Sequence, residues 1–569
     1  MSTVSGNLVS RNYGGFKGVD FSSRKDEISL YRSPDALNMW KNYKNSSGKC
    51  IETRPDIELL EEHSDTIFGH FFYTVNKEVH EIVHTGSFLL DNGKKIKLET
   101  KEAFMNQHKS NFFVYDNKLY VLDGKEYYVY DGTEIKLAEG YIPTTSISRS
   151  PSGGGTVYED VNLLNSYRKN SFVSDGKATE YFLDVPNFDK DSSVRVWVDD
   201  KEVTIGFTAD YSTGKITFTK APAEPLTVGQ DNVVIQFKKT VEGYRERISK
   251  CTLVELFDNR VFFSGNPDYP HFLWHCSLDD PTYCSDLDYY QEGTNDSKIK
   301  SIVAGNNALW VLKEPSQHNT TIFYHNPTID SEYGKVYPST HSSISTGCET
   351  KGINFKDAIC FFSDRGMEAI TGDVTTEQVI SHKSSLVDAR LLNEEKYKDM
   401  MLEEWEGYLL VIVGNKIYLA DSREYPQIND HYEYEWFYWE FDKEITSTLV
   451  KDGVLYLCSD KKIYTLTKTN GVLQSYWTTL NDEFKYPQYQ KITNKKGCVV
   501  DIEGDVSVMA KVDNGNFELV DNYKNTKGYI VPRIKKKKWK AIQLKFYSTK
   551  PFSIYSCTLE SYIGSYVKR

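Results

Sequence analysis

The stretch FVYDNKLYVLDG (113–124) carries the pattern that decides the fold: an apolar strand, a two-residue polar turn and a second apolar, aromatic strand. The turn Asp116-Asn117 is typical of a tight β-hairpin, because Asp and Asn tolerate the left-handed backbone that such turns require. After the turn, apolar side chains from Leu119 to Leu122 alternate between both faces of the strand. A strand that is apolar on both faces is expected to be covered on both sides.

The same pattern recurs along the chain. The other instances are YTVNKEVHEIV (73–83), ELFDNRVFFSG (255–265), IVAGNNALWVLKE (302–314), INFKDAICFFSD (353–364), EWEGYLLVIVG (404–414) and LVKDGVLYLCSD (449–460). The predicted turns begin at Asn76, Asp116, Asp258, Gly305, Lys356, Glu406 and Asp452. The last five lie 46 to 51 residues apart, which is close to the roughly 40 to 50 residues of a four-stranded blade. The repeat predicts an all-β fold, a β-propeller of about six or seven blades. An array of β-sandwiches is the alternative.

Two further β-regions interrupt and follow the repeat. Between Asp116 and Asp258, short alternating strands such as SVRVWVDDKEV (193–203) predict an inserted antiparallel β-sandwich, and similar strands after the last repeat predict a second β-sandwich. The sequence therefore predicts an N-terminal attachment arm (1–60), the first propeller blades (61–155), an inserted β-sandwich (156–241), the remaining blades (242–473) and a C-terminal β-sandwich (474–569).

The charge balance limits the classes of function. The 569 residues carry 80 acidic and 68 basic side chains, a net charge of −12. Holding nucleic acid over a general surface requires a surplus of Lys and Arg, so contact with DNA is expected to be local or non-adhesive. The opening MSTVSGNLVSRNYGG has no apolar run of signal-peptide length, and the most apolar stretch (408–420) is broken by Gly414, Asn415 and Lys416. We expect neither secretion nor membrane insertion.

The nine cysteines indicate no metal site. They are odd in number and scattered, without C-x-x-C, and we expect them to be small buried thiols of a reducing cytoplasm. His271, His275, Cys276 and Cys284 are close in sequence, but HFLWHC lacks the spacing of a tetrahedral zinc site. Ordinary packing is favoured, and neither a metal nor a cofactor is predicted.

Catalytic motifs are also missing from the sequence. No G-x-S-x-G, H-E-x-x-H, Walker or dinucleotide pattern occurs. Adjacent carboxylates such as Asp279-Asp280 and Glu403-Glu404 are expected to be solvated loop charges rather than a glycosidase pair. We therefore predict that the chain is not an enzyme and has no catalytic residues.

Two segments are candidates for binding. The aromatic run HYEYEWFYWEF (431–441) suits a glycan-stacking platform, but packing within a blade is the favoured interpretation. A basic run follows later in this acidic chain: Arg533, Lys535, Lys536, Lys537, Lys538 and Lys540. It suits contact with DNA phosphate or with an acidic neighbouring subunit, whereas an exposed strand whose lysines resist edge pairing is the favoured interpretation.

The N-terminal region resembles a known family. It contains GGF at 14–16, GVDF at 18–21, RSPDA at 32–36, Asn38 and then Arg54-Pro55. This order resembles the start of the tail nozzle proteins of short-tailed phages and of the related phage stabilisation proteins that close the portal channel. The positions that carry the resemblance, and that we take as structural or attachment residues, are Gly14, Gly15, Asp20, Arg32, Pro34, Asp35, Asn38, Arg54 and Pro55. Against the longer-known nozzles, the sequence departs strongly after its first 60 residues.

The resemblance to the stabilisation proteins extends over nearly the whole chain. It includes NLLNSYRKNSFVSDG (162–176), RVFFSGNPDYPHFLW (260–274), DPTYCSDLDYY (280–290) and the ending LESYIGSYVKR. It implies a virion structural protein in the tail or head-tail junction, assembled in the host cytoplasm as a six-fold ring on the portal or adaptor ring, with other tail proteins. Such a ring retains packaged double-stranded DNA and conducts it during ejection, without catalytic residues. The alternatives are a phage fibre or adhesin that binds host surface glycans and, less favoured, a glycan-degrading propeller enzyme.

Overall fold

The structure is a computed structural model that describes residues 7–24, 27–46, 48–191, 193–317, 320–331, 334–342, 346–371, 379–423, 427–428, 431–468, 471–534 and 538–566. The chain divides into two compact units. Unit 1 comprises residues 1–70 and 347–569, and unit 2 comprises residues 71–346.

Five short strands open the chain in unit 1. They are β1 (Leu8–Asn12), β2 (Ala36–Leu37), β3 (Met39–Lys41), β4 (Ile51–Thr53) and β5 (Asp56–Glu62). The first four join the C-terminal domain or blade six, whereas β5 joins blade seven. Residues 56–60, which the sequence assigns to the N-terminal arm, are therefore part of a blade strand.

The first two blades are four-stranded antiparallel sheets with the order of the chain. Blade one contains β6 (Ile67–Val75), β7 (Glu78–Thr85), β8 (Phe88–Asp91) and β9 (Lys94–Lys95). Blade two contains β10 (Asn111–Tyr115), β11 (Lys118–Leu122), β12 (Tyr127–Tyr130) and β13 (Ile135–Leu137). In β11 both faces are buried from Leu119 to Leu122, as the hairpin pattern predicts, and Tyr120 and Val121 lie in two different hydrophobic cores.

The inserted domain has a six-stranded and a three-stranded sheet that share one core around Tyr181, Ile216 and Phe237. The strands are β14 (Thr144–Arg149), β15 (Thr156–Val157), β16 (Tyr167–Phe172), β17 (Glu180–Phe182), β18 (Arg195–Val198), β19 (Lys201–Val203), β20 (Phe207–Asp210), β21 (Lys215–Phe218) and β22 (Val233–Lys238), followed by α1 (Tyr244–Ser249). The domain begins at β14, ahead of the predicted boundary at residue 156. Its β14–β16 pair is parallel, whereas the sequence predicts a wholly antiparallel sandwich.

Blades three and four complete unit 2. Blade three contains β23 (Leu253–Phe257), β24 (Arg260–Ser264), β25 (Phe272–His275) and β26 (Tyr289–Gln291). Blade four contains β27 (Ile299–Gly305), β28 (Ala308–Lys313), β29 (Ile322–His325) and β32 (Ser339–His341), with a hairpin of β30 (Thr328–Asp330) and β31 (Gly334–Val336) between its last two strands.

Unit 1 contains three more blades. Blade five has β33 (Ile353–Phe355), β34 (Ala358–Ser363), β35 (Gly366–Thr371) and β36 (Val379–His382), and is followed by α2 (Asp388–Leu391) and a 3-10 turn (Tyr397–Asp399). Blade six has β37 (Met401–Trp405), β38 (Tyr408–Val413), β39 (Lys416–Asp421) and β42 (Glu435–Glu440), with β40 (Gln427–Ile428) and β41 (His431–Tyr432) before the last strand. Blade seven has β43 (Ser447–Lys451), β44 (Val454–Ser459) and β45 (Lys462–Thr467), and β5 supplies its fourth strand. The fold is thus all-β and of the β-propeller class.

The C-terminal domain consists of β46 (Ser475–Thr478), β47 (Tyr489–Val512), β48 (Glu518–Ile530), β49 (Ile542–Ser548) and β50 (Phe552–Tyr566). These strands form a sheet with β1, β2 and β4, and β3 continues this sheet into β42 of blade six. The sequence predicts a C-terminal β-sandwich, but it does not predict that the N-terminal strands complete the sheet.

The first hairpin of every blade has the same turn. The two central residues have positive φ: Asn76-Lys77, Asp116-Asn117, Asp258-Asn259, Asn306-Asn307, Lys356-Asp357, Glu406-Gly407 and Asp452-Gly453. Two central left-handed residues define the type I′ turn, whose twist matches that of the flanking strands. In blade four the turn begins at Asn306, because Gly305 still pairs with Ala308 in the ladder. The predicted turn start at Gly305 was wrong by one residue.

The cysteines are buried, but two of them are not free thiols. Cys276 and Cys284, in the core of blade three, are joined as a disulfide with their Cα atoms 4.2 Å apart. The expectation of nine free thiols was therefore wrong for this pair. The remaining seven cysteines are buried and are not part of a disulfide among the described residues.

Candidate functional site: the N-terminal strap

The nine residues that carry the family resemblance all lie within residues 12–55, which we call the N-terminal strap. Three backbone hydrogen bonds define its path within unit 1. The N–H of Tyr13 donates to Cys557 O in β50 (2.8 Å), and that of Val19 donates to Trp436 O in β42 (2.7 Å). The N–H of Phe21 donates to Leu386 O (2.7 Å). In nine residues the strap thus contacts the C-terminal domain, blade six and the segment that follows blade five.

Glycines permit this close path. A Cβ on Gly14 would lie 3.1 Å from the Cα of Ser556, and one on Gly15 would lie 2.4 Å from the ring of Tyr31. Gly18 is more constrained, since its φ is +81° and a Cβ there would lie 2.3 Å from Trp436 O. Gly18 was not among the predicted site residues, although its place in the GVDF motif was a usable signal.

Asp20 and Arg32 stabilise a turn in the strap. Val19 and Ser33 form a parallel bridge, so the two halves of the strap lie side by side. The Asp20 carboxylate accepts the backbone N–H of Ser23 (2.9 Å). Arg32 is buried, and burial lowers the pKa of its guanidinium, an effect opposed by the charges of Asp20, Glu435 and Glu433.

Asp35 connects the strap to the C-terminal domain. Its Oδ1 accepts the hydroxyl of Tyr476 in β46 (2.9 Å), and its Oδ2 lies 3.8 Å from Lys545 Nζ in β49. The preceding Pro34 is half-buried, and the Ser33 hydroxyl accepts the N–H of Thr478 (3.3 Å). The RSPD motif therefore contacts two strands of the C-terminal sheet.

Asn38 connects three parts of unit 1 through one side chain. Its Oδ1 accepts the Arg54 Nε–H (2.9 Å) and the backbone N–H of Glu440 in β42 (2.8 Å). Its Nδ2 donates to Gln474 O, just before β46 (2.9 Å). Asn38 has a left-handed φ of 56°, a conformation that Asn tolerates better than most residues.

Arg54 completes this connection. Its Nη2 donates to Glu440 O (3.0 Å) and its Nη1 to Pro55 O (2.7 Å). The guanidinium also lies 4.0 Å from the centre of the Phe441 ring. Burial lowers the pKa of Arg54 to about 10. Asn38 thus accepts the backbone N–H of Glu440, and Arg54 donates to its carbonyl, so both backbone groups at the end of β42 are bound.

A buried ion pair connects the strap with the first residue of β42 and was not predicted. Lys41 Nζ lies 2.6 Å from Glu435 Oε2, and the two side chains are only 3% and 0% exposed. Nearby, the Tyr43 hydroxyl donates to Asp421 Oδ2 in β39 (2.7 Å). The sequence could not pair Lys41 with Glu435, because nearly 400 residues separate them.

These contacts indicate what the site does physically. Asp20, Arg32, Asn38 and Arg54 are buried in unit 1, so their side chains hold the chain to itself rather than presenting a surface to another protein. The arrangement is a structural joint that connects blade six with the C-terminal domain.

The other predicted sites are placed as follows. Lys535, Lys536 and Lys537 lie outside the described residues, and Lys538 is exposed. In the aromatic run, Trp436, Phe437, Tyr438 and Trp439 are buried, which confirms the packing interpretation for these residues.

The adjacent carboxylates have separate partners. Asp279 accepts the Tyr115 hydroxyl (2.9 Å), whereas Asp280 accepts the N–H of Thr282 (2.8 Å). Glu404 forms an ion pair with Lys356. Glu403 is half-buried in β37, and this burial raises its pKa to about 7, so the expectation of a solvated loop charge was wrong for Glu403.

Two further properties of the described residues concern metal binding and the membrane. No three His, Cys, Asp or Glu side chains among the described residues are grouped closely enough to hold a metal ion. None of the helices in the described part of the chain has the length and apolar character needed to cross a membrane.

Comparison with known proteins gives little further information. No family model and no curated protein matches the sequence. Similar solved structures include BamB from Moraxella catarrhalis (10% identity, TM-score 0.31, covering 74% of this chain and 98% of that one). Others are an exo-β-1,3-galactanase from Phanerochaete chrysosporium (10%, 0.20, 86% and 100%) and BBS1N in complex with ARL6DN (9%, 0.24, 74% and 97%). At these TM-scores the likenesses carry no argument about function.

Proposed function

We propose that this chain is a structural, non-catalytic subunit of a bacteriophage tail or head-tail junction. In this proposal, copies assemble as a six-fold ring against the portal or adaptor ring and other tail proteins, and the ring retains packaged DNA and conducts it during ejection. The observation that carries the proposal is the strap. The residues that resemble the start of nozzle and stabilisation proteins lie together in the strap, which connects blade six with the C-terminal domain. Their order in the sequence therefore follows from the contacts of one structural element.

The packing of unit 1 supports a structural role. The strap residue Trp40 packs against Trp405 of β37 and Trp439 of β42, with ring centres 5.5 and 5.6 Å apart. Blade seven takes its fourth strand from β5, so residues about 400 positions apart in sequence share one sheet. Buried apolar contacts such as those of Trp40, Trp405 and Trp439 oppose local unfolding, which suits a subunit that must keep its shape while DNA moves past it.

The lumen of the proposed ring lies between subunits. The axial channel of a single propeller is lined by side chains and is too narrow for a DNA duplex. Passage therefore requires several copies around a common axis. A net charge of −12 is compatible with a lining that lets DNA slide, because a basic lining would bind phosphates tightly.

Loss of the gene tests the proposal. A phage with a nonsense mutation in this gene should package DNA but fail to retain or deliver it, and supplying the chain in trans should restore infectivity. Particles that are full, stable and infectious without the chain would contradict the proposal. Trimeric fibres missing from the mutant particles would instead support the glycan-binding alternative.

A further inference from the structure

Residues 276–284 of blade three, which we call the cross-linked loop, lie between its strands β25 and β26. The loop begins and ends at the disulfide cysteines, Cys276 and Cys284, which are eight positions apart and both fully buried. The segment between them reaches the surface, since Leu278 is 49% exposed and Asp279 is also exposed. The disulfide therefore closes a short surface loop whose two ends are anchored in one hydrophobic core.

The cross-linked loop binds the chain that connects β15 with β16 of the inserted domain. The Asn162 Nδ2 donates to Thr282 O (2.8 Å), and the Asn162 Oδ1 accepts the backbone N–H of Cys284 (3.2 Å). The N–H of Leu163 donates to Cys284 O (2.8 Å). One end of the disulfide thus lies within the hydrogen bonds that hold the inserted domain to blade three.

Further contacts of the loop involve the chain before β14 and blade two. The Tyr283 hydroxyl donates to Asp160 O (3.0 Å), and the Tyr283 ring lies 4.8 Å from that of Tyr141, centre to centre. On the side of blade two, the Tyr127 hydroxyl donates to Pro281 O (3.2 Å). The loop therefore joins blade two to blade three and holds the connections on both sides of β14 and β15.

The surroundings of a protein decide whether two such cysteines are joined. A disulfide persists in an oxidising environment, whereas small thiols keep cysteines reduced in the cytoplasm. Exchange requires a thiolate to reach a disulfide sulfur, so buried sulfurs react only when the chain around them opens. Residues 277–283, all of which the structure describes, contribute no strand to blade three. They can therefore open locally while the sheet of the blade stays intact.

We propose that Cys276 and Cys284 form a redox-controlled cross-link, which is a pair of thiols in a reducing compartment and a disulfide once the surroundings are oxidising. Closing the bond removes conformations that the open loop would otherwise adopt, so the attachment of residues 160–163 becomes more persistent. The inference rests on the proposed function in one respect: a particle assembled in the cytoplasm and then released passes from the first condition to the second.

The oxidant that the cross-link requires is a low-molecular-weight disulfide such as oxidised glutathione. One cysteine loses its proton, and its thiolate attacks the oxidant to give a mixed disulfide and one released thiolate. The second cysteine, also deprotonated, attacks the protein sulfur of the mixed disulfide, which forms the Cys276–Cys284 bond and releases the second thiolate. Two electrons pass from the cysteines to the oxidant, and the two protons complete the two released thiols. An excess of reduced thiol reverses both steps.

Differential alkylation of the purified full-length chain tests the chemistry. The chain is equilibrated with an excess of reduced or of oxidised glutathione, exchange is stopped with acid, and free thiols are alkylated after unfolding. Remaining disulfides are then reduced and labelled with a second reagent, and the peptides with Cys276 and Cys284 are quantified by mass spectrometry. We expect thiols in the reducing buffer and a disulfide in the oxidising buffer, with full reversal when the buffers are exchanged.

Hydrogen exchange in the same two buffers measures what the bond does to the structure. The amides of residues 160–163 and 277–283 should exchange about fivefold more slowly, or slower still, in the oxidised protein, because the closed loop opens less often. The amides of β6 and β7 in blade one, which make no contact with the loop, should exchange equally in both buffers.

Two variants separate the bond from the packing of its sulfurs. Cys284→Ala removes the bond and should show the same exchange of residues 160–163 in both buffers. Cys251→Ala shortens another fully buried cysteine of the same core and should keep the wild-type response to oxidation.

Three results would overturn the proposal: a pair that stays reduced in the oxidising buffer, a bond that resists excess thiol until the chain unfolds, or equal exchange of residues 160–163 in the two states of the wild type. The phenotype of the nonsense mutant decides the proposed function separately.

Discussion

Arg54 and Asn38 share a hydrogen bond of 2.9 Å from Nε to Oδ1, and the same oxygen accepts the backbone N–H of Glu440 at 2.8 Å. Both residues were singled out from sequence as parts of a family motif. Asn38 precedes β3 and Arg54 follows β4, yet both side chains bind the backbone of Glu440 in β42. Their spacing in sequence is therefore the length of chain that forms β3, β4 and the loop between them.

Removing the Asn38 amide should destabilise unit 1. Asn38→Ala leaves the buried Nε–H of Arg54 and N–H of Glu440 without their acceptor, and each unsatisfied group costs about 1–3 kcal/mol. The left-handed φ adds about 1 kcal/mol for a residue with a Cβ, so we expect a total loss of roughly 3–7 kcal/mol.

Urea denaturation of the purified chain measures this loss. Asn38→Gly should recover only the backbone part, because Gly adopts positive φ freely. Asn307→Ala changes a residue of similar φ (61°) in the turn of blade four and should cost no more than that backbone part. An Asn38→Ala variant that is as stable as the wild type would contradict the stabilising role of the Asn38 hydrogen bonds.

Gly18→Ala should be more damaging than the same change at another positive-φ glycine. At Gly18 the new Cβ meets Trp436 O at 2.3 Å, whereas at Gly48, with φ of +103°, it meets nothing within 4 Å. Gly48→Ala therefore measures backbone strain alone, about 1 kcal/mol. Gly18→Ala should lower the thermal midpoint further, because β42 or the strap must move. Equal effects of the two changes would contradict the close approach.

Removing Lys41 alone from the buried pair with Glu435 should destabilise the protein more than removing both residues. Lys41→Met leaves a buried carboxylate without its partner, which costs about 3–5 kcal/mol. Replacing both residues, as in Lys41→Met with Glu435→Leu, removes the uncompensated charge and should recover much of that loss. A double-mutant cycle by chemical denaturation measures the coupling. A double variant that loses the sum of the two single effects would show that the residues do not interact.

His382 should make unit 1 less stable as the pH rises through the alkaline range. Its hydrogen bond to Asp388 (Nε2 to Oδ2, 2.6 Å), together with Glu368, raises its pKa to about 10. A group whose folded-state pKa is raised stabilises the fold fully below its unfolded pKa, near 6.5, and this contribution is lost as pH rises through the folded pKa.

We therefore expect His382→Gln to be less stable than the wild type at pH 6, with a difference that shrinks steadily toward pH 10. Urea midpoints at pH 6, 8 and 9.5 test this expectation. A difference that is constant or grows with pH would mean that the imidazole is not held in its charged form.

Strands β16 to β22 of the inserted domain should be removable only at the ends of the β16–β22 ladder, with β14 and β15 left in place. Within unit 2, Leu163 and Leu164 belong to the core of blade three, and the Leu163 N–H donates to Cys284 O (2.8 Å). Deleting residues 156–241, as the sequence boundaries suggest, should therefore give an unstable protein.

Tyr167 and Lys238 are partners in the β16–β22 ladder, so replacing residues 168–237 with Asn-Gly closes a two-residue hairpin. This variant should be soluble and should melt cooperatively by circular dichroism. If the two deletions behave alike, residues 159–166 do not serve the blade core.

The elements that the sequence predicts well are those whose determinants are local. Asp116-Asn117 marks a hairpin, because turn residues and flanking strands lie within a dozen positions of each other. The turn of blade four was predicted one residue too early, at Gly305. The Gly-Asn-Asn run is compatible with a turn that begins at Gly305 or at Asn306, and only the pairing of Gly305 with Ala308 shows that it begins at Asn306. The partner of β45 could not be found, because β5 lies about 400 residues earlier and no local pattern encodes such a pairing.

The sequence singled out strap residues as structural or attachment positions, but it could not predict the contacts that they make. Asn38 and Arg54 were recognised as a motif, yet their contact with Glu440 depends on tertiary packing. Lys41 and Glu435 were missed, since one lysine and one glutamate in a charged chain carry no signal of pairing. A buried, connected motif indicates an internal joint, whereas the sequence alone left attachment to a partner open.

Electron cryo-microscopy of the particle that contains this chain tests the central claim most directly. The account predicts six copies around the particle axis next to the portal or its adaptor. A chain found as a trimeric fibre, or missing from the axis of DNA exit, would contradict it.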